Sequence, residues 1–241
     1  MDEERFRGKP WNPDQDKYFS GVFGKKTMMN LYKLANIGYI KKIGGEISRG
    51  KEAAVFISET NEGGYVALKI YKPYPSFNMM NYIRGDPRFT GLSKKNVIST
   101  WAKKEFKNLF KFTELGVRVP KPLKVLDNVL VLEFIGEGRE ASKTYKEEPP
   151  KNPETVFKKI REYLKLSYQG GIVHGDLSEY NILDYRDEPV IIDCGQAVVK
   201  RHPGFMQFWE RDIRNIILFF SGLGVECDKE EVEHYVLSGN T

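Results

Sequence analysis

Asp176 and Asn181 stand five positions apart in the run Val173-His174-Gly175-Asp176-Leu177-Ser178-Glu179-Tyr180-Asn181-Ile182-Leu183. The run reads as a loop entered from a helix and left by a short apolar strand. Transfer of a phosphoryl group to a hydroxyl needs a carboxylate to orient the nucleophile and an oxygen ligand for Mg2+. Asp176 suits the first role and Asn181 the second. Asp193 closes the apolar run Pro189-Val190-Ile191-Ile192, seventeen positions after Asp176, and offers a second metal ligand. Taken singly, these residues read as a turn former, a cap and a strand end. Their order, with His-Gly before and apolar strands after, makes the combination specific.

A phosphate donor needs its own contacts. In Tyr65-Val66-Ala67-Leu68-Lys69-Ile70-Tyr71, period-2 alternation puts Ala67 and Lys69 on one face and Val66, Leu68 and Ile70 on the other. Small Ala67 leaves room for a flat base while Lys69 reaches phosphate oxygens. Glu105 sits four residues after Trp101 and four before Leu109, in the apolar stripe of a helix. A carboxylate aimed at a core needs a partner, and Lys69 is the natural one. The segment Ser48-Arg49-Gly50-Lys51-Glu52-Ala53-Ala54-Val55-Phe56 has small residues that let backbone approach phosphates, and Lys51 adds charge. It is neither a Walker A sequence nor Gly-x-Gly-x-x-Gly, and a plain hairpin turn is its other reading.

The elements that must position these groups fall into a sheet-rich first half and a helix-rich second half. Residues 1 to about 25 carry no periodicity and suggest an irregular lead-in. A short amphipathic helix is predicted from Thr27 to Ile37, stopped by Gly38. Strands are predicted over Ile43–Ile47, Ala54–Glu59, Tyr65–Tyr71 and Val129–Phe134. Residues 73 to 97 read as a loop that orders on binding, and Ser99 or Thr100 as the cap of a helix running to Leu115. Further helices are predicted at about 154–169, 206–221 and 229–237. The pattern implies an α+β protein of two lobes, divided as 1–42, 43–135 and 136–241, the first an extension, with the crossing near Phe134 to Gly138.

The 241 residues are 40% hydrophobic and 29% charged, the balance of an ordinary globular chain. No run approaches the apolar length of a membrane span, and Met1-Asp2-Glu3-Glu4 does not open a signal peptide. The expectation is a cytoplasmic protein with no membrane partner. Two cysteines, Cys194 and Cys227, lie in no metal or disulfide pattern. The net charge of +5 is spread along the chain; it permits a nucleic-acid partner and demonstrates none.

These residues resemble the RIO family of atypical serine/threonine protein kinases, in its first branch. The resemblance rests on Ser48-x-Gly50-Lys51-Glu52-Ala53, Ala67-x-Lys69-Ile70-Tyr71, Tyr82-Ile83-x-Gly85-Asp86-x-Arg88-Phe89 and Leu132-Glu133-Phe134-Ile135-Gly136. It continues through His174 to Asn181, Ile192-Asp193, Gln196-Ala197-Val198, His202-Pro203 and Arg211-Asp212-x-Arg214-Asn215-Ile216. It implies a two-lobed protein-kinase-like fold without a conventional activation segment, using ATP with Mg2+ or Mn2+. The implied nucleotide contacts are Ser48, Gly50, Lys51, Glu52, Ala53, Val55, Ala67 and Lys69, with backbone contacts to adenine from Glu133 and Ile135. Lys69 with Glu105 and Asp176 as base would serve catalysis, Asn181 and Asp193 would hold metal, and Asp193 would also accept phosphate as an acyl phosphate. Also implied are autophosphorylation, ATP hydrolysis and a role in maturation of the small ribosomal subunit, whose rRNA and proteins are then partners.

Arg49 and Ala54 depart from the family pattern, which has a smaller polar residue and Asn there. No long charged tail follows Thr241, which suggests a minimal, archaeal form. Two other readings stay open. Small-molecule kinases of the aminoglycoside or choline type share His-Gly-Asp with Asn five residues on, though not Ser-Glu-Tyr in the loop or Gly195-Gln196-Ala197. A nucleotide-gated module that binds a pre-ribosomal particle is the non-enzymatic one.

Overall fold

A computed structural model describes Pro10, residues 12–83 and residues 86–238. Gly85 of the family pattern lies outside them. Two compact units emerge. One comprises the described residues up to Phe106 together with Pro122–Ala141; the other comprises Lys107–Lys121 and the described residues from Ser142 on.

The first unit opens with α1 (Pro13–Val22), where an irregular lead-in was expected. Asn12 caps it by accepting from the Gln15 N–H at 2.9 Å, and Gln15 Oε1 accepts from the Asn12 N–H in return. Pro13 at the first helical position and Asp14 and Asp16 in the first turn complete the start. Helix α2 (Gly24–Asn36) follows and ends where Gly38, at φ 89°, turns the chain. Strands β1 (Lys42–Arg49), β2 (Ala53–Glu59) and β3 (Tyr65–Tyr71) then form antiparallel hairpins.

Residues 73–97 are not one loop. They contain α3 (Phe77–Tyr82), a 3₁₀ turn at Pro87–Phe89 and the start of α4 (Lys94–Glu114), five residues before the predicted cap at Ser99. Apolar burial is the reason: Met79, Ile83, Phe89, Val97, Ile98, Trp101 and Ala102 share a core with Ala53 and Tyr71. Strands β4 (Pro122–Leu126) and β5 (Val129–Glu133) complete a sheet of order β1-β2-β3-β5-β4, and a small hairpin, β6 (Gly136–Glu137) with β7 (Glu140–Ala141), ends the unit.

Helices α1 and α2 pack onto the sheet of the first unit. Phe19, Phe23, Leu31 and Leu34 of α1 and α2 are buried in one core with Ile43, Phe56, Val66, Leu68, Ile70, Val129 and Val131. That core covers the sheet face of Val66, Leu68 and Ile70, and Ala67 and Lys69 lie on the opposite face. The unit boundary falls after Ala141, not at residues 135/136, and residues 107–121 go with the second unit.

The second unit is helix-rich: α5 (Pro153–Gln169), α6 (Phe205–Gly222) and α7 (Lys229–Leu237). Short strand pairs join β8 (Ile172–Val173) to β11 (Val198–Val199), and β9 (Ile182–Tyr185) to β10 (Glu188–Ile191). Val156, Phe157, Ile160, Tyr163 and Leu164 form the buried stripe of α5, while Phe205, Trp209, Ile213, Ile216 and Phe220 form that of α6. Phe157 meets Phe220 at 5.2 Å and Tyr168 meets Trp209 at 4.6 Å. Few residues separate Asp193 from α6, which leaves no room for a conventional activation segment.

Candidate functional site

In the first unit, β3 places Lys69 between Val55 of β2 and Leu130 of β5. The ladder fixes its backbone, and alternation turns its side chain to the face away from the α1/α2 core. Lys69 Nζ donates to Glu105 Oε1 at 2.9 Å, with the glutamate only 1% exposed. Nζ also lies 5.4 Å from the Tyr71 ring centroid. Ala67, half-buried opposite Ile57 and Leu132, shares this face. Glu133 ends β5, and Ile135 beyond it is buried.

The β1–β2 turn is closed by the Gly50 N–H donating to the Ala53 carbonyl at 2.8 Å. Lys72 braces it, Nζ donating to the Gly50 carbonyl at 3.0 Å and its N–H to the Glu52 carbonyl at 2.9 Å. The Ser76 hydroxyl donates to Glu52 Oε1 at 2.5 Å, so this carboxylate is engaged with the segment before α3. Ser48 pairs with Val55 on the Lys69 side, and Lys51 is exposed at the tip.

The second unit assembles the other groups. Asn181 Nδ2 donates to the Asp176 carbonyl at 2.8 Å, which leaves its amide oxygen as the end that can face a cation. His174 is 4% exposed. Its Nδ1 accepts from the Asp176 N–H at 3.3 Å and its Nε2 donates to the Ile192 carbonyl at 2.9 Å. One ring thus ties the Asp176 loop to the residue before Asp193. The Ile192 N–H donates to the Asn181 carbonyl at 2.9 Å, a second tie between the segments. Asp193 has φ 60° and ψ 52°, a left-handed conformation that costs a non-glycine residue on the order of 1 kcal/mol. Asn108 of α4 holds the turn after it, Nδ2 donating to the carbonyls of Cys194 at 2.8 Å and Ala197 at 3.2 Å.

Asp212 stands in the family pattern without an assigned role. It is 1% exposed on α6, and its two oxygens accept from the N–H groups of Gly175 at 2.7 Å and Leu177 at 2.8 Å, one on each side of Asp176. Asn215, one turn on, donates to the Leu177 carbonyl at 3.1 Å. Burial pushes the Asp212 carboxyl up to about 7, against the two N–H donors, which favour the ion. The signal for Asp212 is the one that marks Glu105: an acid in an apolar helical stripe, between Trp209 and Ile216. Asn108 and Asn215 carry no comparable signal.

Among the described residues no three His, Cys, Asp or Glu side chains form a metal cage. Magnesium takes one or two protein ligands and completes its shell with water and phosphate oxygens. Asn181 and Asp193 supply hard oxygens of the required kind.

The RIO domain family matches residues 54–233. The chain is 41% identical over 239 residues to the RIO-type serine/threonine-protein kinase Rio1 of Haloferax volcanii, covering 98% of this chain and 82% of that one. To the Rio1 of Methanocaldococcus jannaschii it is 38% identical over 220 residues, covering 89% and 75%. A solved Rio2 kinase of Chaetomium thermophilum, in an ADP/Mg2+-phosphoaspartate complex, superposes with TM-score 0.66 at 20% identity, over 89% of this chain and 67% of that one.

Proposed function

Since this chain belongs to the RIO family of atypical protein kinases, we propose that it transfers the γ-phosphoryl group of Mg-ATP to serine or threonine hydroxyls of proteins, its own among them. We propose further that it hydrolyses ATP and acts in the cytoplasm on the maturing small ribosomal subunit, through rRNA and protein contacts. One observation carries the chemical reading: Asp176, Asn181 and Ile192-Asp193 are bound into one backbone network through His174 and the amide of Asn181.

In this reading Lys69, held by Glu105, meets phosphate oxygens, and Ser48, Gly50, Lys51, Glu52 and Ala53 form the phosphate loop. Val55 and Ala67 line the base, with backbone contacts from Glu133 and Ile135. Asp176 orients the acceptor hydroxyl and takes its proton as the oxygen–phosphorus bond forms and the β–γ bridge breaks to release ADP. Asn181 and Asp193 hold the metal, Mg2+ or Mn2+, which when bound neutralises charge on the phosphates. The Chaetomium Rio2 complex contains a phosphoaspartate; by extension, Asp193 accepts phosphate as an acyl phosphate during hydrolysis.

The test is to incubate γ-labelled ATP with the protein, with and without small-subunit particles, and to locate the label. Label on protein serine, or alkali-labile label on Asp193 with release of free phosphate, is expected. Asp193→Ala should abolish both, and unchanged turnover in that variant sinks the mechanism.

A further inference from the structure

Arg49 stands inside the phosphate loop, where a cation would ordinarily be assigned to phosphate. The strand geometry takes it elsewhere. In β1, Glu46 pairs with Phe56, Ser48 with Val55 and Arg49 with Ala54, so a one-residue shift lies between Glu46 and Ser48. Phe56 and Ala54 face the core under α1 and α2, while Val55 shares the Lys69 side. In a regular strand, residues three apart point to opposite faces. The bulge puts Glu46 and Arg49 on the same face, that of α1, and leaves Ser48 on the other.

On that face the three side chains close a network. Arg49 Nε and Nη2 donate to the two Glu46 carboxylate oxygens, both at 2.8 Å. The guanidinium lies over the Tyr18 ring of α1, 5.1 Å from its centroid, and the Tyr18 hydroxyl donates to Glu46 Oε2 at 3.3 Å. Tyr18 is anchored in turn, edge-on to Phe19, Phe23 and Phe56. The forked ion pair and the stacked guanidinium each need arginine specifically. Lys51 is left as the cation of the loop tip.

We infer that Arg49 is a positioning residue: with Glu46 and Tyr18 it ties the phosphate loop to helix α1 and holds it in the nucleotide-binding conformation, without touching phosphate. The inference rests on the reading of Ser48 to Ala53 as the phosphate loop. Helix α1 thereby becomes part of the nucleotide site's support.

The experiment measures Mg-ADP affinity by titration calorimetry, and KM and kcat for ATP, in the full chain and its variants. Lys51→Ala tests the loop itself: unchanged affinity there defeats the phosphate-loop reading, whatever the Arg49 variants do. Arg49→Ala and Tyr18→Leu should each weaken Mg-ADP binding and raise KM by about three- to fivefold, the scale of a partly exposed ion-pair network, with kcat little changed. The double variant should be no weaker than either single one, and Arg49→Lys should not rescue. Glu46→Ala decides by sign. If Arg49 is a strut, losing its partner weakens nucleotide binding; if Arg49 binds phosphate, freeing it strengthens binding. Unchanged or tighter binding in Glu46→Ala, rescue by lysine, or additive single variants overturns the inference, and because Glu46 is a surface residue its variant remains informative should Tyr18→Leu unfold.

Discussion

Lys69 and Glu105 are ionisable side chains that the first unit keeps almost wholly from water, 11% and 1% exposed. Burying either alone is costly, and the pair is tolerated because each supplies the other's counter-charge at 2.9 Å. Such a pair contributes little net stability compared with apolar residues of the same size, so its presence points to function. Glu105→Ala should destabilise the protein by about 3 to 5 kcal/mol, because it strands a buried ammonium. The double change Lys69→Met with Glu105→Leu should recover most of that stability in urea denaturation while leaving phosphoryl transfer absent. Recovery of activity along with stability would show that the pair serves folding alone. Asp176 makes a different prediction, since its backbone is held from both sides whatever its side chain. Asp176→Asn should keep the fold and nucleotide affinity and lower kcat by about 10²- to 10⁴-fold, the usual worth of a general base; a kcat within threefold of wild type would remove Asp176 from the reaction.

Among the elements, α1 and α2 do work their residue numbers conceal. Leu31 is 0% exposed in a core that also contains Leu68 and Val131, two strands of the sheet that carries Lys69. Leu31→Ala should therefore cost about 2 to 5 kcal/mol by cavity formation, visible as a lower denaturation midpoint, whereas a detachable extension would show almost no change. Strand β3 was legible in full because its alternation is strict and its turn residues are unambiguous. Helix α1 was not. Its capping box, Asn12-Pro13-Asp14-Gln15, was there to be read, but Gly21 and Gly24 interrupt the apolar rhythm of Tyr18, Phe19 and Phe23. Strand β4 was hidden by Pro120 and Pro122, and by the absence of any apolar run between Lys121 and Lys124. The early start of α4 was carried by Val97, Ile98 and Trp101, whose spacing is helical only if Ser93 and not Ser99 precedes the first turn. The side chains proposed to do chemistry stand out in the sequence by type and spacing. Those that hold backbone, such as Asn108, could be found only once the chain had folded.

Over the whole molecule, where no described helix is long and apolar enough to cross a membrane, stability is a sum over groups that titrate differently folded and unfolded. The Asp212 carboxyl is pushed up to about 7, with burial as the largest cause. An unfolded aspartate ionises near pH 4. Between about pH 4 and pH 7 the folded chain keeps a proton on Asp212 that the unfolded chain has released, so raising the pH favours unfolding. The stability that this group contributes is complete below about pH 4, declines through the window, and is gone once the pH passes about 7; three pH units correspond to about 4 kcal/mol at most. Asp212→Asn cannot titrate and should show a flatter profile. The amide cannot accept at both ends, however, so one of the Gly175 and Leu177 N–H groups then meets a donor, and the loop that carries Asp176 loosens. The variant should accordingly lose kcat at every pH while its urea stability changes less than that of wild type between pH 5 and pH 8. A wild-type stability that rises relative to the variant over that interval would place the Asp212 ionisation on the other side of the balance, with the two backbone donors outweighing burial.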